Sequence, residues 1–255
     1  MSGRCELNYS QDIRFDCNGC GRCCENHHVP LTLEESIRWV TDGGQLIILV
    51  EGFIEDGLGL EPNQATHLLR RSHSVRSGTL RPRIITTFAA YNPGRCRYLQ
   101  ADNRCGQYDV RPLVCRIYPA EINPSITLVP QAKDCPPEVW NEGPILIHRQ
   151  SGVSNALEAL IERSRQADRA DIGRKVAICE LLGITVSAVR GNGYTAWLPD
   201  SQKWLSAVRR TETGMKVDVE WAFEVSDEQI LKTLLEQGAF LGQSADHQGA
   251  FIGLA

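Results

Sequence analysis

Residues 15–28 read "FDCNGCGRCCENHH", and Cys17, Cys20, Cys23 and Cys24 fall within eight positions of one another. Packing gives a chain little reason to crowd thiols in this way. Thiolates are soft ligands suited to zinc, copper(I) and iron–sulfur clusters. Three of them at intervals of three residues can wrap one face of a compact inorganic centre. The run therefore predicts an N-terminal part that is irregular and organised around metal.

A second group lies 72 positions beyond Cys24 and is more open: Cys96, Cys105, Cys115 and Cys135, spaced C-x8-C-x9-C-x19-C. Bacterial ferredoxins follow a C-x2-C-x2-C run with a distant C-P, and here Cys17, Cys20 and Cys23 are followed by Cys135-Pro136. Zinc sites more often take C-x2-C pairs or an H-x3–5-H arm. The second group contains no such pair, although His27 stands at C-x2-H spacing from Cys24. Spacing thus favours an iron–sulfur cluster, of the [4Fe–4S] kind, with zinc as the alternative. All eight of these cysteines are candidate ligands. A site drawing on both groups would close a loop of 72 residues, a cross-link that contributes on the order of 4 kcal/mol by chain entropy.

Cations accompany the cysteines. Arg22, Arg95, Arg97, Arg104 and Arg116 adjoin them, and Lys133 lies two before Cys135. Positive charge lowers a thiol pKa, so the set is expected to favour thiolate. Cys179, on the apolar face of a helical stretch, reads as a core residue, and Cys5 as a free thiol.

The 255 residues are 42% hydrophobic and 23% charged, with a net charge of −4. A core can form from this composition, and the acidic balance excludes broad nucleic-acid binding, which needs a basic face. The longest apolar run, "LIILVEGF" (46–53), is far shorter than a membrane span. The first residues carry charges where a signal peptide has its apolar stretch. Together these predict a cytoplasmic protein without membrane contact. In that reducing setting clustered cysteines are read as ligands before disulfides.

Elsewhere the pattern predicts an α+β fold. It comprises an irregular, metal-stapled cysteine domain over 1–150 and a mainly helical region over 151–255. "PLTLEESIRWV" (30–40) starts a helix with a Thr32/Glu35 capping box. "QLIILVEGF" (45–53), "RIITTFAAY" (83–91) and "SITLVPQ" (125–131) read as strands. Residues 55–81 read as a loop or hairpin excursion. Residues 154–184 read as helix, broken near Asp168–Asp171. "VSDEQILKTLLEQG" (225–238) reads as a helix capped by Ser226 and stopped at Gly238.

Three segments resemble the YkgJ-type cysteine-cluster family, whose shared domain is described as zinc- or iron-chelating. They are "FDCNGCGRCC" (15–24), "VPLTLEES" (29–36) and "CRYLQADNRCGQYDVRPLVCRIYPAE" (96–121), in the family's order. The resemblance covers roughly 15–135 and implies metal chelation by its cysteines. Within its third segment, Tyr108, Arg111 and Arg116 are candidates to contact or tune the centre, and Pro112 and Pro119 bracket a short mount for Cys115. The family includes relatives of flagellin lysine N-methylase, so a protein-lysine methylase is a further expectation, as is a structural zinc module presenting a surface to a partner. The expected partners are a metal ion or cluster, together with a protein substrate or redox partner. "AVRGNGYTAW" (188–197) offers only a lone G-x-G toward S-adenosylmethionine.

Overall fold

The computed structural model describes residues 9–55, 57–215 and 217–254. Cys5 lies outside the described residues. Helix makes up 35% and strand 21%, so the chain is α+β. Contacts divide it into two compact units: the chain up to Val29 with Tyr91–Gln166, and Pro30–Ala90 with the chain from Ala167 onward. The expected boundary near residue 150 falls inside the first of these.

In the first unit the strand Ile13–Arg14 pairs antiparallel with Ile145–His148, which also pairs with Gly152–Val153. Phe15 stacks on Trp140 with ring centroids 4.9 Å apart, and Asp16 N donates to Val139 O at 2.9 Å. The residues just before Cys17 are therefore fixed. Gly143 permits this close approach: its φ is 90°, and a Cβ there would lie 2.6 Å from Asp16 Cβ. The apolar core of this unit is small. Leu113, Ile117 and Ala120 pack on Leu157 and Ile161, from the first turns of the helix Asn155–Leu181.

The second unit is built on a mixed sheet. Leu46–Phe53 pairs antiparallel with Arg83–Ala90 and Gly193–Trp197, and parallel with Val186–Val189. Beyond Val186–Val189 follow Ala222–Glu224 and Phe240–Leu241, both parallel, and Ala250–Gly253 pairs with Gly193–Trp197. Leu46–Phe53 is buried on both faces, which explains a continuous apolar run instead of alternation. Trp204, on the helix Ser201–Glu212, packs edge-on to Phe88 at 5.8 Å.

Several expectations change here. Over 151–255 the helices Asn155–Leu181, Ser201–Glu212 and Glu228–Glu236 are joined, among the described residues, by five strands beyond Leu181. "SITLVPQ" forms no strand; instead Leu128 is buried and its N–H donates to Tyr9 Oη at 3.1 Å. Residues 55–81 include a short helix, Ala65–Arg70, and the strand His73–Ser74. The helix Asn155–Leu181 runs unbroken through Asp168 and Asp171. Asp168 pairs with Arg71 at 3.3 Å, and Asp171 accepts from Leu33 N at 2.8 Å. These carboxylates serve other segments and leave their own backbone helical. The Gly191–Gly193 pair sits in the tight turn joining Val186–Val189 to Gly193–Trp197, with Asn192 N donating to Val189 O at 2.9 Å. That is a tight turn between two strands, not the strand–loop–helix that cradles a nucleotide.

Candidate metal centre

The cysteine run is shaped by its glycines. Gly19 and Gly21 have φ of 70° and 76°, which side-chain-bearing residues rarely adopt. They let the chain reverse between Cys17, Cys20 and the single 3-10 turn Arg22–Cys24. Gly21 is also close against Leu99 and Asn103, both 3.2 Å from where a Cβ would be.

Backbone bonds stitch this run to the second group. Cys96 N donates to Cys24 O at 2.7 Å, and Asn26 N to Gly94 O at 2.7 Å, with Glu25 bridging Arg95 between them. Cys105 is folded back toward Cys96 by a bridge to Leu99 and by Gly106 N donating to Tyr98 O at 2.7 Å. Cys115 stands on the helix Leu113–Ile117, whose apolar face docks Leu113 and Ile117 into the core. Pro112 precedes that helix as its cap and does not occupy its first turn. Cys135 Sγ donates to Tyr118 Oη at 3.5 Å. All eight cysteines belong to the first unit, and none is in a disulfide.

The electrostatics differ from the sequence expectation. Cys115 is pushed up to about 12 by burial, then by the neighbouring charges of Cys24, Cys96 and Cys105, against the opposing pull of Arg111. Cys96 is raised by burial, with Cys24 and Cys105 adding to it. Cys135 is raised by burial, and Cys20 and Cys17 add to that. The sulfurs of Cys23 and Cys24 lie 4.0 Å apart. Their contact raises the Cys23 thiol, with burial adding to it, and lowers that of Cys24, with Arg111 and His27 lowering it further against burial and Glu25.

Burial and mutual repulsion therefore outweigh the cations, half of which are paired with carboxylates. Arg95 pairs with Glu25 at 3.6 Å, Arg104 with Asp102 at 4.0 Å, and Lys133 with Glu121 at 2.5 Å. Arg111 acts on Cys24 and Cys115, and Arg97 on Cys96. Arg111 Nε donates to Tyr108 O at 2.9 Å, and its guanidinium lies 3.6 Å from the Tyr108 ring centroid. Tyr108 thus braces Arg111 from outside, 57% exposed. Arg116 is exposed.

The sequence singled out His27 by its spacing from Cys24 but not its partner: His27 Nε2 and Asp134 Oδ2 meet at 2.8 Å. His27 lies three residues after Cys24 and Asp134 adjoins Cys135, but no local spacing links positions 107 residues apart. Among the described residues, no three Cys, His, Asp or Glu side chains are drawn closely enough to hold a metal ion as they stand. The chemistry of the donors nevertheless fits one. The donors are soft, and a cation is the partner that neighbouring buried thiols lack.

Residues 16–136 match the CxxCxxCC family, described as a putative zinc- or iron-chelating domain. The match covers 121 of the 255 residues. Its span takes in all eight clustered cysteines, and it also includes Pro30–Ala90, which groups with the second unit. No curated protein and no solved structure matches the chain. No helix among the described residues is long and apolar enough to cross a membrane. What the match brings is a description, zinc or iron chelation, that agrees with the donor set.

Proposed function

We propose that the chain holds an iron–sulfur cluster through its clustered cysteines and exchanges electrons there with a protein partner. The observation that carries this reading is the stitching of two distant cysteine stretches, Cys96 N to Cys24 O at 2.7 Å, within one unit that contains all eight thiols. Such a cluster, when bound, would supply one-electron chemistry. The chain's own groups would then hold and tune it. The cysteines bind as thiolates, Arg111 offsets their charge, and Tyr118 donates a hydrogen bond to the deprotonated Cys135 sulfur. Hydrogen bonds to sulfur and solvent exposure are the levers that set a cluster's potential.

One observation favours zinc as a second reading. Metal-ligating histidines usually give their other ring nitrogen to a carboxylate, and His27 Nε2 is already held by Asp134. Anaerobic purification separates the two. Brown protein with broad absorbance near about 400 nm and acid-labile sulfide supports the cluster. Colourless protein containing zinc supports the second reading, and protein with neither metal removes both.

A further inference from the structure

Independently of the metal reading, we infer that the strand Ala250–Gly253 is a self-pairing edge: two copies of the chain join antiparallel along it, about a two-fold axis at Ile252. The strand has one partner, Gly193–Trp197, and among the described residues no strand lies on its other side. The register fixes which groups face inward. Ile252 stands opposite Tyr194, and its carbonyl oxygen is turned toward Gly193, 2.6 Å from where a Cβ would be there. Leu254 N donates to Asn192 O at 3.0 Å on the same side. In an antiparallel ladder successive residues bond to opposite sides, so the N–H and C=O of Phe251 and Gly253 face outward.

An open edge is a template for another strand, and proteins ordinarily blunt it with charge or proline. Residues 249–254, "GAFIGL", contain neither. Ile252 and Leu254 are 47% and 52% exposed. The strand Phe240–Leu241, at the far end of the sheet, offers no such template. It is two residues long, and Phe240 N already donates to Ser77 Oγ at 3.0 Å.

A second copy is the occupant because the strand is complementary to itself. Antiparallel pairing about Ile252 sets Phe251 opposite Gly253 of the second copy, and Gly253 opposite its Phe251. These are the residues whose backbone groups face outward, so each such pair exchanges both of its hydrogen bonds. Ile252 meets its own counterpart in a non-hydrogen-bonded pair, where side chains come closest, and Ala250 meets Leu254. Because side chains alternate between faces, Ala250, Ile252 and Leu254 of both copies gather in one apolar row. On the other face the Phe251 ring lies against Gly193 of its own chain, and the glycine opposite it in the second copy leaves that ring room. No like charges are set opposite one another. A slip of one residue would turn inward groups toward the new neighbour and leave the outward ones unpaired, which fixes the register.

The test is sedimentation of the full chain, purified anaerobically in reducing buffer so that no intermolecular disulfide imitates the pairing. At micromolar concentration the wild type is expected at twice the mass of one chain. Ile252→Lys and Ile252→Glu, each alone, should fall to the mass of one chain, because each sets like charges against one another at the two-fold axis. Mixing the two variants should restore the doubled mass, since opposite charges then meet there. A monomeric wild type overturns the inference, whether the edge takes a strand from a different protein or none. An assembly larger than two overturns it as well, as does a doubled mass that survives both substitutions, which would place the contact elsewhere. A mixture that stays monomeric overturns the pairing of Ile252 with its counterpart. The wild-type mass decides the matter even where a variant does not fold.

Discussion

Single residues carry opposite lessons about cysteine and lysine. Cys179 is fully buried, 0% exposed, and burial raises its thiol pKa. It lies in the second unit's part of the helix Asn155–Leu181. Cys179→Ser should therefore keep its full metal content and lose about 1–3 kcal/mol from a buried hydroxyl. Cys20→Ser should lose metal and soluble yield together. Metal analysis beside thermal denaturation checks both, and metal loss in Cys179→Ser would refute the core assignment. Apolar periodicity was enough to tell these two cysteines apart.

Lys175 gave no such signal. It is 2% exposed, with Nζ donating to Leu31 O at 3.1 Å and Asp168 Oδ1 3.8 Å away. Burial lowers its pKa, against the raising pull of Asp168, Asp171 and Glu35. Its folded pKa lies below the unfolded value of about 10.4. Between those two values the unfolded chain binds more protons, so stability rises with pH. Relative to Lys175→Met, the wild type should gain stability as pH rises toward about 10. Melting temperatures of both proteins across that range test it, and parallel curves would exclude the effect.

At the scale of elements, the sequence was informative where structure is local. The box at the start of the helix Leu33–Thr41 forms as read: Thr32 Oγ1 accepts from Glu35 N at 3.1 Å, and Glu35 accepts from Thr32 N at 2.9 Å. The later helix, Glu228–Glu236, is capped one residue beyond the expected position. Asp227, not Ser226, accepts from Ile230 N at 2.8 Å, while Ser226 Oγ accepts from Asn192 Nδ2 at 3.2 Å. Long-range service by a side chain was illegible. Asp171 looked like a helix breaker, yet it accepts from Leu33 N at 2.8 Å across 138 positions. The helix Leu33–Thr41 thus has two caps on different donors. Thr32→Ala and Asp171→Ala should each cost about 1 kcal/mol. Their effects should add in the double variant, because they satisfy separate N–H groups. Urea unfolding of the four proteins measures this, and a double variant no worse than either single would show that one cap suffices.

For the whole molecule, the chain's route matters more than any element. It leaves the first unit after Val29, returns at Tyr91, and leaves again after Gln166. Local periodicity reports which face of an element is apolar. It is silent on which distant segments share a core, so this interleaving was not legible, whereas the cysteine spacing was. The consequence concerns metal. A centre that joins Cys24 to Cys96 closes a loop containing the whole of Pro30–Ala90. The two units are also unequally supplied with apolar core. One has Leu113, Ile117, Ala120, Leu157 and Ile161; the other buries Trp204, Trp221, Phe53 and Phe88 almost completely. Removing metal should therefore cost on the order of 4 kcal/mol through the opened loop, and the cost should fall on the unit with less to hold it. Protein stripped by chelator should be cleaved first within residues 91–150, while fragments carrying 186–254 persist. Readdition of metal before protease should restore protection. Cleavage that is indifferent to metal, or that begins in the sheet, would mean that the cysteines do not hold the fold together.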